Sequence, residues 1–153
     1  MITLFFVTFL SFAISQNYTY SLEDINPNSP YVGTTISPEY FSNQITIHYF
    51  GKQTWGTCTN RVGYLDDIYQ SLLAAGIYNV KIITIGKTMW SSGVGMWTDT
   101  SLPVLVDPSP YPVWEEWGAE IRDLYFVDAE GNHYTHYNIT MTQNTPEATE
   151  EVV

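Results

Sequence analysis

The sequence has little cysteine and little positive charge. Its 153 residues contain one cysteine, Cys58, and five lysine or arginine residues against sixteen acidic residues, which gives a formal net charge of -11. A single cysteine excludes an internal disulfide framework and a cysteine-rich zinc site. So few cations cannot line a groove for a phosphate backbone, and nucleic acid is therefore not an expected partner.

Apolar and aromatic residues, by contrast, are plentiful. They make up 44% and 16% of the chain, while 14% of the residues are charged. This composition excludes an intrinsically disordered protein, and the length suits one hydrophobic core. The chain is therefore expected to form a single globular domain.

The N-terminus has the pattern of a signal peptide. Residues 1–14 form an apolar run that is too short for a membrane-spanning helix, which needs about 20 residues. Ala13 and Ser15 give the small-x-small pattern of a cleavage site, so residues 1–15 are predicted to be removed and the protein to be secreted. A short membrane anchor or a buried first strand is the alternative. Asn17 and Asn138 lie in N-x-[ST] triplets and are candidate glycosylation sites, or ordinary surface asparagines.

A strand, a helix and a second strand are predicted after a proline-rich, irregular lead-in at residues 16–44. Residues 45–50 alternate β-branched and aromatic side chains and end at a glycine, which indicates a strand. Apolar residues recur at spacings of three and four over residues 62–73, which predicts a helix with Thr57 or Thr59 as its N-cap and Gly76 at its C-terminal end. Residues 79–85 form the next strand, parallel to the first.

The second half adds a strand at 103–107, a short helix at 113–119 and an antiparallel hairpin from 124–127 and 133–137. From residue 141 the chain is polar and acidic, so residues 141–153 are expected to form a disordered tail. The element order predicts an α/β protein of thioredoxin-like fold over residues 45–140, with a central mixed sheet and flanking helices. In that fold the reactive site follows the first strand, at the N-terminus of the next helix, where Cys58 lies.

Several stretches between Trp55 and residue 139 match a known family in order and spacing. Together they resemble the N-terminal domain of selenoprotein P. The matching stretches are Trp55-Gly56-Thr57-Cys58, Tyr64-Leu65-Asp66-Asp67-Ile68, residues 75–82, Leu102-Pro103-Val104, Val113-Trp114 and residues 122–128.

The resemblance implies a secreted redox domain that uses a selenocysteine or cysteine and a second cysteine three residues later. Cys58 falls on the second, resolving position, and Trp55 stands at the first. The resemblance further implies that a cis proline, Pro103, begins the strand facing this pair. Leu102, Pro103, Gly56 and Thr57 would then contact the substrate. Protein thiols or disulfides are the implied partners, and no cofactor is expected.

Three interpretations of position 55 remain open, because tryptophan and cysteine cannot run a dithiol exchange cycle by themselves. In the first, the nucleophile has been lost and the domain is a redox-inactive binding or structural module. In the second, position 55 is selenocysteine, whose UGA codon is read as tryptophan in some genetic codes, and the protein is a thiol or selenol oxidoreductase or peroxidase. In the third, Cys58 acts alone as a monothiol near a helix N-terminus.

The remaining candidate residues carry weaker signals. His133 and His136 are three apart in a predicted strand, which places them on opposite faces, and no metal site is expected. Trp114 is expected in the core. Trp90, Trp97 and Trp117 could instead join Trp55 in an apolar surface patch for an unidentified secreted protein.

Overall fold

The computed structural model describes residues 18–153, so the predicted signal peptide and Asn17 lie outside the described residues. Seven strands and three α-helices follow one another in this part of the chain, with 3-10 helices at Pro38–Phe41 and Thr88–Met96. In chain order they are β1 (Leu22–Glu23), β2 (Thr35–Ile36), β3 (Ile45–Phe50), α1 (Gly56–Ala74), β4 (Val80–Lys87), β5 (Val104–Asp107), α2 (Pro112–Trp117), β6 (Asp123–Val127), β7 (His133–Asn138) and α3 (Pro146–Glu150).

Five of the strands form one mixed sheet in the order β5-β4-β3-β6-β7. β3 is parallel to β4, and β4 to β5, whereas β6 is antiparallel to both β3 and β7. The predicted mixed sheet is therefore confirmed. Phe50, the last residue of β3, pairs with Asp123, the first residue of β6. The C-terminal end of β3 and the beginning of β6 thus meet at one edge of the sheet.

Side chains of β3 alternate between two hydrophobic cores, one on each face of the sheet. Ile47 and Tyr49 pack with α1, whereas Phe50 packs on the other face with Trp114 and Trp117 of α2. The sequence of this strand places β-branched and aromatic residues at successive positions. A strand that is buried on both faces needs this pattern, because neighbouring side chains point to opposite faces.

Helix α1 ends where the sequence predicts but begins earlier. Gly76 has φ +80° and follows the last turn, and the Ile77 amide donates to the Leu72 carbonyl over 2.9 Å, which is the bond that closes a Schellman motif. The predicted N-caps, Thr57 and Thr59, are wrong. Both lie inside the first turn, because Gly56 starts the helix and Trp55 is the N-cap.

The lead-in contains the paired short strands β1 and β2 and a 3-10 helix, and it covers the edge of β5. The Asp24 carboxylate accepts a hydrogen bond from the Val104 amide over 2.9 Å, and the Ile25 amide donates to the Val104 carbonyl over 3.0 Å. The Asn26 side chain donates to the Leu102 carbonyl over 2.8 Å. These bonds satisfy backbone groups that an edge strand would otherwise leave open.

The expectation of a disordered acidic tail is wrong. Residues 146–150 form α3, and Thr149 is fully buried against α1. Arg61 of α1 is 1% exposed, and its guanidinium donates to the Thr149 hydroxyl and to the carbonyls of Thr142 and Gln143, the latter two over 2.7 and 2.6 Å. A buried guanidinium needs such acceptors, and the tail supplies them.

Replacing Arg61 by Met should detach this tail. Hydrogen bonds to a charged group contribute about 1.5–3 kcal/mol, so cleavage after Glu147 and Glu150 by a glutamate-specific protease should accelerate about tenfold or more. Lys81→Met, on β4 and away from the tail, serves as the control. Equal cleavage rates in wild type and Arg61→Met would show that Arg61 does not anchor the tail.

His48 of β3 should make the fold sensitive to acid. It is fully buried, its Nε2 lies 3.0 Å from the Tyr20 hydroxyl, and burial lowers its pKa to about 3. The unfolded chain takes up a proton near pH 6.5 while the folded chain does not, so stability falls as the pH drops from about 6.5 towards 3.

The matched variant is His48→Gln, which keeps a partner for Tyr20 but does not titrate. Between about pH 7.5 and pH 5, wild type should lose about 2 kcal/mol in free energy of unfolding relative to this variant, as followed by denaturant titration. Parallel stability curves for the two proteins would contradict a buried neutral His48.

The prediction that His133 and His136 lie on opposite faces of their strand is wrong. A register shift lies opposite Phe126 and Val127 and inserts one extra residue into β7. Both imidazoles consequently lie against the Tyr125 ring, with 5.8 Å between their own ring centroids. A one-residue bulge reverses the face of every side chain beyond it, and the sequence pattern does not reveal it.

Candidate functional site

Residue 55 lies at the surface, at the end of the loop that connects β3 to α1. Trp55 is the N-cap of α1, has an extended backbone and is 41% exposed, and its side chain makes no capping hydrogen bond. Ser, Thr, Asp and Asn are preferred at this position, and an apolar residue costs about 1 kcal/mol. The chain therefore departs from local helix preference at this residue, as proteins commonly do at functional sites.

The loop before Trp55 is fixed by close contact with two glycines. Gln53 is fully buried, and a Cβ on Gly93 would lie 2.3 Å from its carbonyl oxygen. A Cβ on Gly86 of β4 would lie 1.9 Å from the Gln53 side-chain nitrogen. A side chain at Gly93 would force the loop backbone to move, whereas one at Gly86 would displace the Gln53 side chain, so Gly93 in particular fixes the loop that precedes residue 55.

Cys58 lies one helical turn after Trp55 and is fully buried. It packs in the α1 core beside Tyr49, Val62 and Leu65. Residues three apart share a helix face, so the thiol lies beneath residue 55 rather than in contact with solvent. Without solvent access Cys58 cannot attack a bulky substrate directly, which removes the basis for the monothiol interpretation.

The Tyr49 hydroxyl is buried in the same core as this thiol and interacts with it electrostatically. Burial raises the pKa of Tyr49 well above its ordinary value, and the charge and hydrogen bonding of Cys58 raise that pKa further, against the opposing effect of Arg122 and Arg61. The hydroxyl therefore stays protonated and can donate a hydrogen bond to a Cys58 thiolate.

Two cations converge on the side chain of residue 55. The Lys52 ammonium lies 4.3 Å from the centroid of the Trp55 ring, and the Arg122 guanidinium carbon lies 5.6 Å from it. The whole chain has five lysine and arginine residues, so this is a large share of its positive charge. These contacts are cation–π interactions with tryptophan, and they would stabilise an anionic side chain at the same position.

Arg122 was not identified from the sequence as a site residue, although the scarcity of cations was a signal. It immediately precedes β6 and has φ +75°, its amide donates to the Phe50 carbonyl over 2.7 Å, and its carbonyl accepts from the Ile139 amide over 3.0 Å. Its Nε is buried without a hydrogen-bond partner among the described residues. The backbone is thus fixed on both sides, and the guanidinium is directed to residue 55.

The prediction of a cis proline at Pro103 is wrong, since the cis peptide bond of residues 18–153 is Ser109–Pro110. Pro103 and Leu102 precede β5, and β4 lies between β5 and β3. The strand that begins beside the end of β3 is β6. Both residues are buried. The Leu102 carbonyl accepts from Asn26, and the Pro103 carbonyl accepts from the Thr84 amide over 3.0 Å. Neither carbonyl is left for an extended substrate.

Gly56 and Thr57 lie where the sequence places them, next to Trp55 in the first turn of α1, exposed and half-buried respectively. Asn138 is exposed at the end of β7. Its side-chain nitrogen, the atom that would carry a glycan, donates to the Asp123 carboxylate over 2.7 Å.

A tryptophan-rich surface patch is absent from residues 18–153. Trp97, Trp114 and Trp117 are each 3% exposed or less, and Trp90 packs edge-to-face on Trp114 with 5.5 Å between ring centroids. Trp55 alone of the five is strongly exposed. The placement of Trp114 in the core is confirmed, whereas the alternative that used a wide tryptophan surface is wrong.

The arrangement of strands and helices defines the class: this is a thioredoxin-like fold. A secreted disulfide oxidoreductase of Mycobacterium tuberculosis is similar to the chain, with a TM-score of 0.64 and 11% identity over 88% of this chain and 97% of that one. The exposed lipoprotein thioredoxin of Streptococcus pneumoniae is similar with a TM-score of 0.65 and 19% identity, over 88% and 96% of the two chains.

At the level of sequence, no protein-family model matches the chain and no curated protein matches it significantly. Residues 18–153 contain no group of three metal-ligating side chains and no helix long and apolar enough to cross a membrane.

Proposed function

We propose that this chain is a secreted thioredoxin-like redox protein similar to the N-terminal domain of selenoprotein P. Its reactive position is residue 55, and Cys58 is the resolving thiol. In the active protein position 55 is selenocysteine, and tryptophan stands in the sequence because a UGA codon was read as tryptophan. The substrates are disulfides of proteins or small thiols.

The observation that carries this proposal is the convergence of Lys52 and Arg122 on residue 55. A selenolate is an anion, and two cations together with the N-terminal end of α1 would lower the pKa of a selenol or thiol at this position.

The reaction follows from the positions of the two residues. The selenolate at position 55 attacks one sulfur of a substrate disulfide, the sulfur–sulfur bond breaks, and one substrate thiolate leaves and takes up a proton. The Cys58 thiolate, stabilised by the Tyr49 hydroxyl, then attacks the selenium and releases the second substrate thiolate. The substrate gains two electrons, and the protein is left with a selenium–sulfur bond between residues 55 and 58. Two molecules of an external thiol then restore the reduced pair and are themselves oxidised to a disulfide.

The proposed extracellular location rests on the signal-peptide pattern of residues 1–15 and on the sequons at Asn17 and Asn138. A lone buried thiol beneath an exposed reactive residue suits an oxidising compartment, because Cys58 is shielded from other oxidants.

The test is to identify residue 55 in the natural protein. Trypsin should cut after Lys52 and Arg61 and release residues 53–61 as one peptide that contains both positions. Mass spectrometry should find the isotope pattern of selenium in this peptide, and the message should carry UGA at codon 55 with a selenocysteine-insertion stem-loop. A UGG codon and a tryptophan mass would overturn the selenocysteine assignment.

A second candidate is a redox-inactive binding module, which the stacking of Lys52 and Arg122 on the tryptophan ring favours. In that case Trp55, as the exposed aromatic of the site, would be the main contact with a partner protein. A tryptophan mass in the natural peptide would favour this candidate.

A further inference from the structure

We propose that Lys52 and Arg122 also select the substrate, by binding the carboxylates of small acidic disulfides of the glutathione disulfide type. This inference rests on the proposed redox function and specifies the substrate class of the same site. It is based on two observations: two cationic side chains lie beside residue 55, and neither of them forms an ion pair within the described part of the chain.

Neither cation is neutralised by the protein among the described residues. Lys52 and Arg122 make no ion pair there, and Arg122 Nε has no hydrogen-bond partner. The adjacent carboxylate, that of Asp123, is buried and accepts from the Glu120 amide over 2.6 Å and from the Asn138 side chain over 2.7 Å. Asp123 is thus bonded to other groups, and the guanidinium keeps its capacity to bind an anion.

The other three cationic side chains make contacts away from residue 55. Arg61 anchors the tail, and the Lys81 ammonium donates to the Tyr69 hydroxyl over 3.2 Å. The Lys87 ammonium lies 4.4 Å from the Trp114 centroid and interacts electrostatically with the buried Asp107 carboxylate. The pair at residue 55 is therefore the place where this acidic chain can accept a negatively charged ligand.

The net charge of -11 does not prevent this. At physiological ionic strength charges are screened beyond about 8 Å, so the two cations beside residue 55 dominate over distant carboxylates. A guanidinium binds a carboxylate through two parallel hydrogen bonds, and an ammonium acts as a point charge. A disulfide that carries several carboxylates can contact both while its sulfur reaches position 55.

The test uses the Trp55→Cys variant, which supplies a nucleophile. Its thiolate attacks the probe disulfide, one thiolate leaves, and Cys58 then releases the other. Rates are compared for anionic glutathione disulfide, neutral bis(2-hydroxyethyl) disulfide and cationic cystamine at about 0.15 M salt. Because the cations also favour the thiolate itself, the readout is the ratio of the anionic rate to the neutral rate.

We expect Arg122→Gln and Lys52→Gln each to lower this ratio roughly fivefold, which corresponds to about 1 kcal/mol for a partly exposed ion contact. Arg122→Lys should lose less, and the control Lys81→Gln should leave the ratio unchanged. Ratios that stay unchanged in both site variants would overturn the substrate inference while leaving the redox function intact.

Failure of Trp55→Cys to react with any of the three disulfides would count against the redox function instead. Anion binding is then measured on the chain with tryptophan at position 55. This protein is titrated with S-methylglutathione, which cannot undergo thiol–disulfide exchange, and the signal of the Trp55 indole N–H is followed by NMR. A saturable shift that Arg122→Gln abolishes supports the carboxylate site. Absence of a shift overturns it.

Discussion

Replacing Trp55 by Cys should turn an inactive chain into a disulfide reductase. The variant would place a thiol at the exposed N-cap of α1, beside two cations and one turn before Cys58. Because release of the substrate becomes intramolecular, we expect insulin-disulfide reduction on the order of a hundredfold or more above the form of the chain with tryptophan at position 55. The increase in turbidity of reduced insulin, with dithiothreitol as the electron donor, measures this rate.

Two matched variants separate the site from a nonspecific thiol effect. Trp55→Ser removes the aromatic ring without supplying a nucleophile and should remain inactive. Trp55→Cys with Cys58→Ser retains the attacking thiol but cannot release the mixed disulfide, so it should stop after one turnover. Activity of Trp55→Cys no greater than that of Trp55→Ser would mean that the scaffold no longer supports the chemistry.

Replacing Gly93 by Ala should have the largest effect on stability and should also displace the site loop. Its Cβ would lie 2.3 Å from the Gln53 carbonyl oxygen, which is backbone and cannot rotate away. Overpacking of this kind costs about 1–3 kcal/mol, and chemical denaturation measures the loss. The loop precedes residue 55, so Gly93→Ala should also reduce the activity of the Trp55→Cys variant by about tenfold or more.

Gly95 provides the control within the same 3-10 helix. A Cβ at Gly95 meets no atom within 4 Å, so Gly95→Ala should leave stability within about 0.5 kcal/mol of wild type and leave the site unaffected. Equal stability of the two alanine variants would contradict the tight fit of Gln53 against Gly93.

Local sequence pattern was sufficient for the elements that surround residue 55. The strand at 45–50 and the end of α1 at Gly76 follow from side-chain alternation, helical spacing and glycine chemistry. The placement of Trp55 and Cys58 between the end of β3 and the first turn of α1 follows as well, because the pattern locates this junction.

The features that the sequence did not reveal depend on contacts between distant segments. Arg122 reaches residue 55 because β6 pairs beside β3, which no local pattern specifies. The tail is ordered because a buried Arg61 requires acceptors, and an acidic composition gives no sign of that. The family pattern places Pro103 in the strand that faces the site, but the order of strands in the sheet separates β5 from β3 by β4. That order cannot be read from the sequence around Pro103.

The pairing of residues 55 and 58 is tested most directly by oxidising the Trp55→Cys variant with glutathione disulfide and digesting it with trypsin. We expect no free thiol and a peptide of residues 53–61 that is two hydrogens lighter than its reduced form, because one disulfide joins its two cysteines. Two modifiable thiols, or a disulfide between two chains, would contradict a reactive pair at this site.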